Sequence, residues 1–88
     1  MPRFVIERNI PGLNREMLDA AARRSIEVSK EMTGLVWVRS YVSEAEGKVY
    51  CEYDAPDADA IREHAARAGL PADRISRVSL EISPTMFV

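Results

Sequence analysis

The sequence predicts an α+β sandwich in which a four-stranded antiparallel sheet carries two helices on one of its faces. Three observations predict it. Apolar residues recur at spacings of three and four in only two segments, both punctuated by capping residues. Four other segments are β-branched or aromatic, and alternate. The 88-residue length leaves room for one domain, taken as 1–88.

The first strand spans Phe4 to Ile10 and stops at the turn pair Pro11-Gly12. Asn14 reads as an N-cap, with Glu16 in the first turn where a carboxylate suits the helix dipole. Leu18, Ala21, Ala22, Ser25, Val28 and Met32 then form one stripe of a helix over roughly 14–32, and Gly34 can close it in the left-handed conformation. Leu35 to Val42 is too branched and aromatic for a helix and reads as the second strand. The polar loop Ser43–Gly47 has hairpin length, and Lys48 to Tyr53 resumes the strand pattern. Asp57 caps a second helix whose inward stripe is Ile61, His64, Ala65 and Ala68, and Gly69-Leu70-Pro71 stops it. Ile75 to Ile82 alternates as a fourth strand, and Pro84 to Val88 is a short tail. The order β-α-β-β-α-β is a split βαβ arrangement, which places strands one and three centrally in a ferredoxin-like sandwich.

Composition narrows the function. Twelve basic against fourteen acidic residues give net −2, which provides no excess positive charge for nucleic acid or anionic lipid. The apolar runs are too short to span a bilayer, and the amino terminus lacks a signal-peptide core. A single cysteine makes no internal disulfide and points to a reducing, cytoplasmic setting.

Strand alternation sorts the side chains. Phe4, Ile6, Val36, Val38, Val42, Val49, Cys51, Tyr53, Val78, Leu80 and Ile82 face the helices. Val5, Glu7, Trp37, Arg39, Tyr41, Tyr50, Glu52, Arg77, Ser79 and Glu81 face the opposite, open side. Three large aromatics on a face that no helix covers predict a homodimer packed sheet against sheet. Glu7, Trp37, Arg39, Tyr41, Tyr50 and Glu52 are the candidate ligand-binding residues there, with Arg39 or Arg77 able to neutralise the carboxylates. A salt-bridge cluster without chemistry remains the plain alternative for them.

On the helix side, Cys51 and His64 can approach each other. Thiolate and imidazole suit nickel, zinc or copper, and the same pair could form an activated nucleophile. Equally, Cys51 can be a small buried hydrophobe and His64 a hydrogen-bonded core residue. Glu7 and Glu52 lie across the sheet and cannot complete a Cys51–His64 site within one chain. Asp54, Asp57 and Asp59 lack the spacing and glycine of a calcium loop and read as helix caps. Pro2 follows a retained Met1, so its nitrogen is an amide and no general base. The stretch Gly47–Tyr53 offers Tyr50 as a stacking residue for RNA, but Lys48 and Val5 stand where other platform aromatics belong. No catalytic residue is assigned.

The stretches Trp37–Val42, Tyr50-Cys51-Glu52-Tyr53-Asp54-Ala55-Pro56, Ile61-Arg62-Glu63-His64-Ala65 and Gly69-Leu70-Pro71-Ala72 resemble a family of small bacterial proteins. The family was first catalogued as a domain of unknown function and is now labelled nickel-binding-protein-like. The opening Pro2–Arg8 is similar as well, so the resemblance spans the chain. It implies a ferredoxin-like fold, a homodimer and, for at least one branch, binding of nickel or another divalent transition metal, with no established enzymatic activity. His64, Cys51, Tyr50, Glu52 and Trp37 match family positions. With one histidine, a histidine-rich metal sphere cannot come from a single subunit. The expected function is therefore a small cytoplasmic homodimer that binds a transition-metal ion or a small molecule. The alternatives are a cofactor-free monooxygenase-like enzyme with a pocket on the open sheet face, and a purely structural or regulatory dimer.

Overall fold

The computed structural model describes residues 1–88. Strand β1 (Arg3–Asn9) leads into helix α1 (Arg15–Lys30), the hairpin β2 (Val36–Ser43) and β3 (Lys48–Asp54), helix α2 (Ala58–Ala68), strand β4 (Arg74–Arg77) and a short 3-10 turn over Pro84–Phe87. The sheet order is β2-β3-β1-β4 with every pair antiparallel, so the fold is the ferredoxin-like α+β sandwich expected from the sequence.

The capping residues act as their chemistry requires. The Asn14 side chain accepts from the Met17 N–H at 2.9 Å, and Asp57 accepts from the Ala60 N–H at 2.8 Å. Gly69 ends α2 in the left-handed conformation at φ 68°. Phe4, Ile6, Val49, Cys51 and Tyr53 project from the two central strands into the core and meet Ile61 of α2. Full burial of an isoleucine such as Ile6 or Ile61 stabilises the fold by about 1.5–3 kcal/mol. By contrast α1 has a single buried residue, Ser25.

The facing of Val36, Trp37 and Arg77, and the length of the fourth strand, differ from what alternation assigns. A bulge between Trp37 and Arg39 adds a residue to β2, so Trp37 pairs with Tyr53 whereas Arg39 pairs with Glu52. Trp37 therefore lies on the helix side among the core residues, and Val36, paired with Asp54, is exposed on the other face. In β4, Arg77 pairs with Phe4 and Ile75 with Ile6, which puts Arg77 on the helix side and out of reach of Glu7 and Glu52. The fourth strand also ends earlier than expected, at Arg77. Its ladder closes at Val78 N–H to Arg3 O, 2.8 Å, because β1 starts at Arg3 and offers no partner further on. Leu80 and Ile82 keep a strand-like alternation but are 73% and 62% exposed.

Candidate functional site

Alternation along β1 places Phe4, Ile6 and Arg8 on the same face, and Arg8 is as buried as its apolar neighbours at 2% exposure. Its Nε donates to Cys51 Sγ at 3.5 Å and its Nη1 to the Pro71 carbonyl at 2.7 Å. Its Cζ lies 6.0 Å from the centroid of the Tyr53 ring. Nη2 is buried without a hydrogen-bond partner. No ion pair of the molecule involves Arg8. A buried guanidinium answered only by a thiol, a carbonyl and a ring costs the fold several kcal/mol, to order of magnitude, in lost hydration. The orphaned donor itself accounts for about 1–3 kcal/mol.

Arg8 lines a cavity of about 500 Å³ between α1 and the β2–β3 half of the sheet. Leu18, Ala21 and Ala22 of α1 form one wall, and Trp37, Val42, Val49 and Tyr53 of the sheet form the other. The volume falls within the range of small-molecule sites, roughly 300–1,000 Å³. A hydrogen-bonded chain fixes the polar part of the sheet wall: Trp37 Nε1 donates to Ser40 Oγ at 2.9 Å, and Ser40 Oγ donates to Cys51 Sγ at 3.0 Å. The exposed Arg15, Asp19 and Glu44 stand at the mouth, where Arg15 Nε holds Asp19 Oδ1 at 3.0 Å. Burial pushes the Tyr53 hydroxyl above its ordinary pKa, so it stays protonated at neutral pH.

This cavity lies on the helix side, and of the six candidate ligand-binding residues expected on the open face Trp37 alone lines it. Glu7, Arg39, Tyr41, Tyr50 and Glu52 lie on the open face. There Glu52 is 3.7 Å from Arg39 and 3.8 Å from Arg3, and Glu7 is 3.9 Å from Lys48. These are part-exposed ion pairs worth little individually. Sequence reading missed Arg8, although the alternation that buries Phe4 and Ile6 also buries the residue two further on. A charge at a core-facing strand position was the available signal.

Cys51 and His64 are both buried on the helix side, where the Cys51 sulfur and His64 Nε2 already have hydrogen-bond partners. His64 Nε2 bonds to the Ser25 carbonyl at 3.0 Å, and a carbonyl can only accept, so the ring proton sits on Nε2. Burial, reinforced by the charge of Arg8, holds the His64 pKa below its ordinary value. The Cys51 sulfur accepts from a guanidinium, and a metal cation there would face that charge at close range. No group of three or more His, Cys, Asp or Glu side chains is placed to hold a metal ion. The residues of one chain do not fit a transition-metal site.

Residues 4–78 match the model of a family described as nickel responsive protein SCO4226-like. The chain belongs to this family. Its fold matches the crystal structure of SCO4226 from Streptomyces coelicolor A3(2) with a TM-score of 0.82. At 27% identity, the match covers 91% of this chain and 99% of that one. No curated protein matches. No helix is long and apolar enough to cross a membrane.

Proposed function

We propose that this member of the nickel-responsive family is a small-ligand-binding protein that acts as a homodimer, with its ligand held in the cavity beneath α1. The observation that carries the reading is the cavity itself. An apolar space of small-molecule size opens on a buried, partly unsatisfied cation, an arrangement that costs stability and is unexplained by packing alone. Cytoplasmic residence is part of this reading, supported by the one free, buried thiol.

The homodimer reading rests on apolar surface left without a partner. Tyr41 and Val36 are 56% and 50% exposed on the uncovered sheet face, and Leu80 and Ile82 continue beyond the last ladder bond. A second copy laid on this face would shelter them. In this reading nickel is not the occupant of a Cys51–His64 site. The metal response of the family requires groups from more than one copy, or another ligand.

Titration with a neutral naphthylamine dye tests the cavity. Its fluorescence should rise on binding to the natural sequence and stay low with Ala22→Phe, which fills the space from α1. Equal fluorescence in the two proteins would remove the cavity as the site.

A further inference from the structure

We infer that the cavity beneath α1 takes a small organic monocarboxylate with an aryl or short alkyl body, its carboxylate paired with the guanidinium of Arg8. This rests on the small-ligand reading above and names the ligand's chemistry. The inference stands on charge complementarity. Arg8 is 2% exposed and lies deep in the site, whereas Arg15, Asp19 and Glu44 at the mouth are exposed. Asp19 is held by Arg15, and Glu44 stands on the solvent-facing hairpin loop, so no carboxylate of the chain reaches Arg8.

Nη2 has no hydrogen-bond partner and Nη1 has only the Pro71 carbonyl, so the guanidinium keeps donors to spare, and two parallel N–H groups of a guanidinium match the two oxygens of a carboxylate. One buried positive charge balances one negative charge. A phosphate dianion would bring a second charge into a space whose remaining walls are Leu18, Ala21, Ala22, Val42 and Val49. A metal or organic cation would meet the guanidinium directly. Trp37 and Tyr53 supply flat faces for an aryl group, and the Trp37–Ser40–Cys51 chain keeps the indole in place beside them.

The chain has one tryptophan and it lines the cavity, so Trp37 emission reports occupancy. The full-length protein is titrated at neutral pH with phenylpropanoate, with the isosteric phenylpropanamide and with inorganic phosphate. The acid should bind at least about tenfold tighter than the amide, since a hydrogen bond to a charged group is worth more than a neutral one. Arg8→Met should bring the two to within about threefold of each other. Ala22→Phe should abolish both. Equal affinity for acid and amide in the natural sequence, which requires no variant to fold, overturns the carboxylate assignment and leaves a neutral-ligand cavity standing. Tight phosphate binding with no phenylpropanoate binding also overturns it. No response to either organic probe, together with a silent naphthylamine dye, removes the small-ligand reading as well.

Discussion

His64 Nε2 donates to the carbonyl of Ser25 at 3.0 Å, and this bond joins the buried faces of α2 and α1. The ring also stacks at a tilt on Tyr53, with centroids 5.3 Å apart, so His64 touches both helices and the sheet. Its pKa lies below 6.5 chiefly because burial disfavours the cation, with the charge of Arg8 acting in the same direction and the Ser25 carbonyl opposing. A depressed folded-state pKa means that the unfolded chain takes up the proton first as pH falls. The contribution is complete above the unfolded value near 6.5, declines below it, and levels off once the folded-state value is passed. Denaturant titrations between neutral and mildly acidic pH should therefore show falling stability for the natural sequence. His64→Gln should be less stable by about 1–3 kcal/mol at neutral pH, and flatter across this window. An unchanged slope in the variant would assign the pH dependence to another group.

Gly47 closes the β2–β3 hairpin at φ +63°, with its carbonyl accepting from the Ile10 N–H at 2.7 Å. A Cβ there would stand 3.1 Å from the Ile10 carbonyl oxygen and 3.3 Å from Pro11 Cα, both backbone atoms that cannot swing aside. Gly47→Ala should lower the denaturant midpoint by the equivalent of about 1–2 kcal/mol or more, from left-handed strain alone, with an unchanged m value. A midpoint within error of the natural sequence would show that the end of β1 yields to the hairpin.

The same hairpin shows where the sequence was readable and where it was not. Caps at Asn14 and Asp57 and the stop at Gly69 are local chemistry, each written within a few residues, and they read through to the structure without change. The bulge after Trp37 is different. No glycine or polar pair marks it, since what drives it is tertiary: the indole packs half-buried against the core and finds a partner in Ser40 only when β2 gains a residue. One added residue reverses the facing of all that precedes it, which is why Val36 and Trp37 exchange faces while Arg39 and Tyr41 stay as alternation places them. The length of β4 was equally hidden, because Leu80 and Ile82 have strand chemistry and only the position of Arg3 denies them a partner. The helix-side cavity was hidden for the same reasons, although Arg8, a charge at a core position of β1, was a legible sign of it.

Dimerisation through the uncovered sheet face yields a direct outcome. Tyr41 pairs with Tyr50 across β2 and β3 and is 56% exposed, so a charge at position 41 should cost the monomer little but should not be tolerated between two sheets. Tyr41→Lys is expected to halve the sedimenting mass relative to the natural sequence while preserving its thermal midpoint. A natural sequence that already sediments as one subunit would end the dimer proposal, and an unaltered dimer in the variant would move the interface elsewhere.

Nickel supplies the last test, because the fit of the residues and the description of the family point in different directions. Cys51 is engaged by Arg8 and Ser40, His64 Nε2 is committed to Ser25, and no third ligand stands near them. Any nickel bound by the natural sequence should therefore be retained by Cys51→Ser and by His64→Gln, with calorimetric affinity changed by less than about threefold, well short of the tenfold or greater loss expected on removing a true ligand. If either substitution abolishes the heat of nickel binding while circular dichroism shows the fold intact, the buried pair rearranges to take the metal. The Arg8 guanidinium would then have to leave the sulfur, and phenylpropanoate and nickel would compete for one protein. The competition is measurable in the same titration cell: saturating phenylpropanoate should leave nickel binding unaltered if the sites are separate, and weaken it if Cys51 is shared.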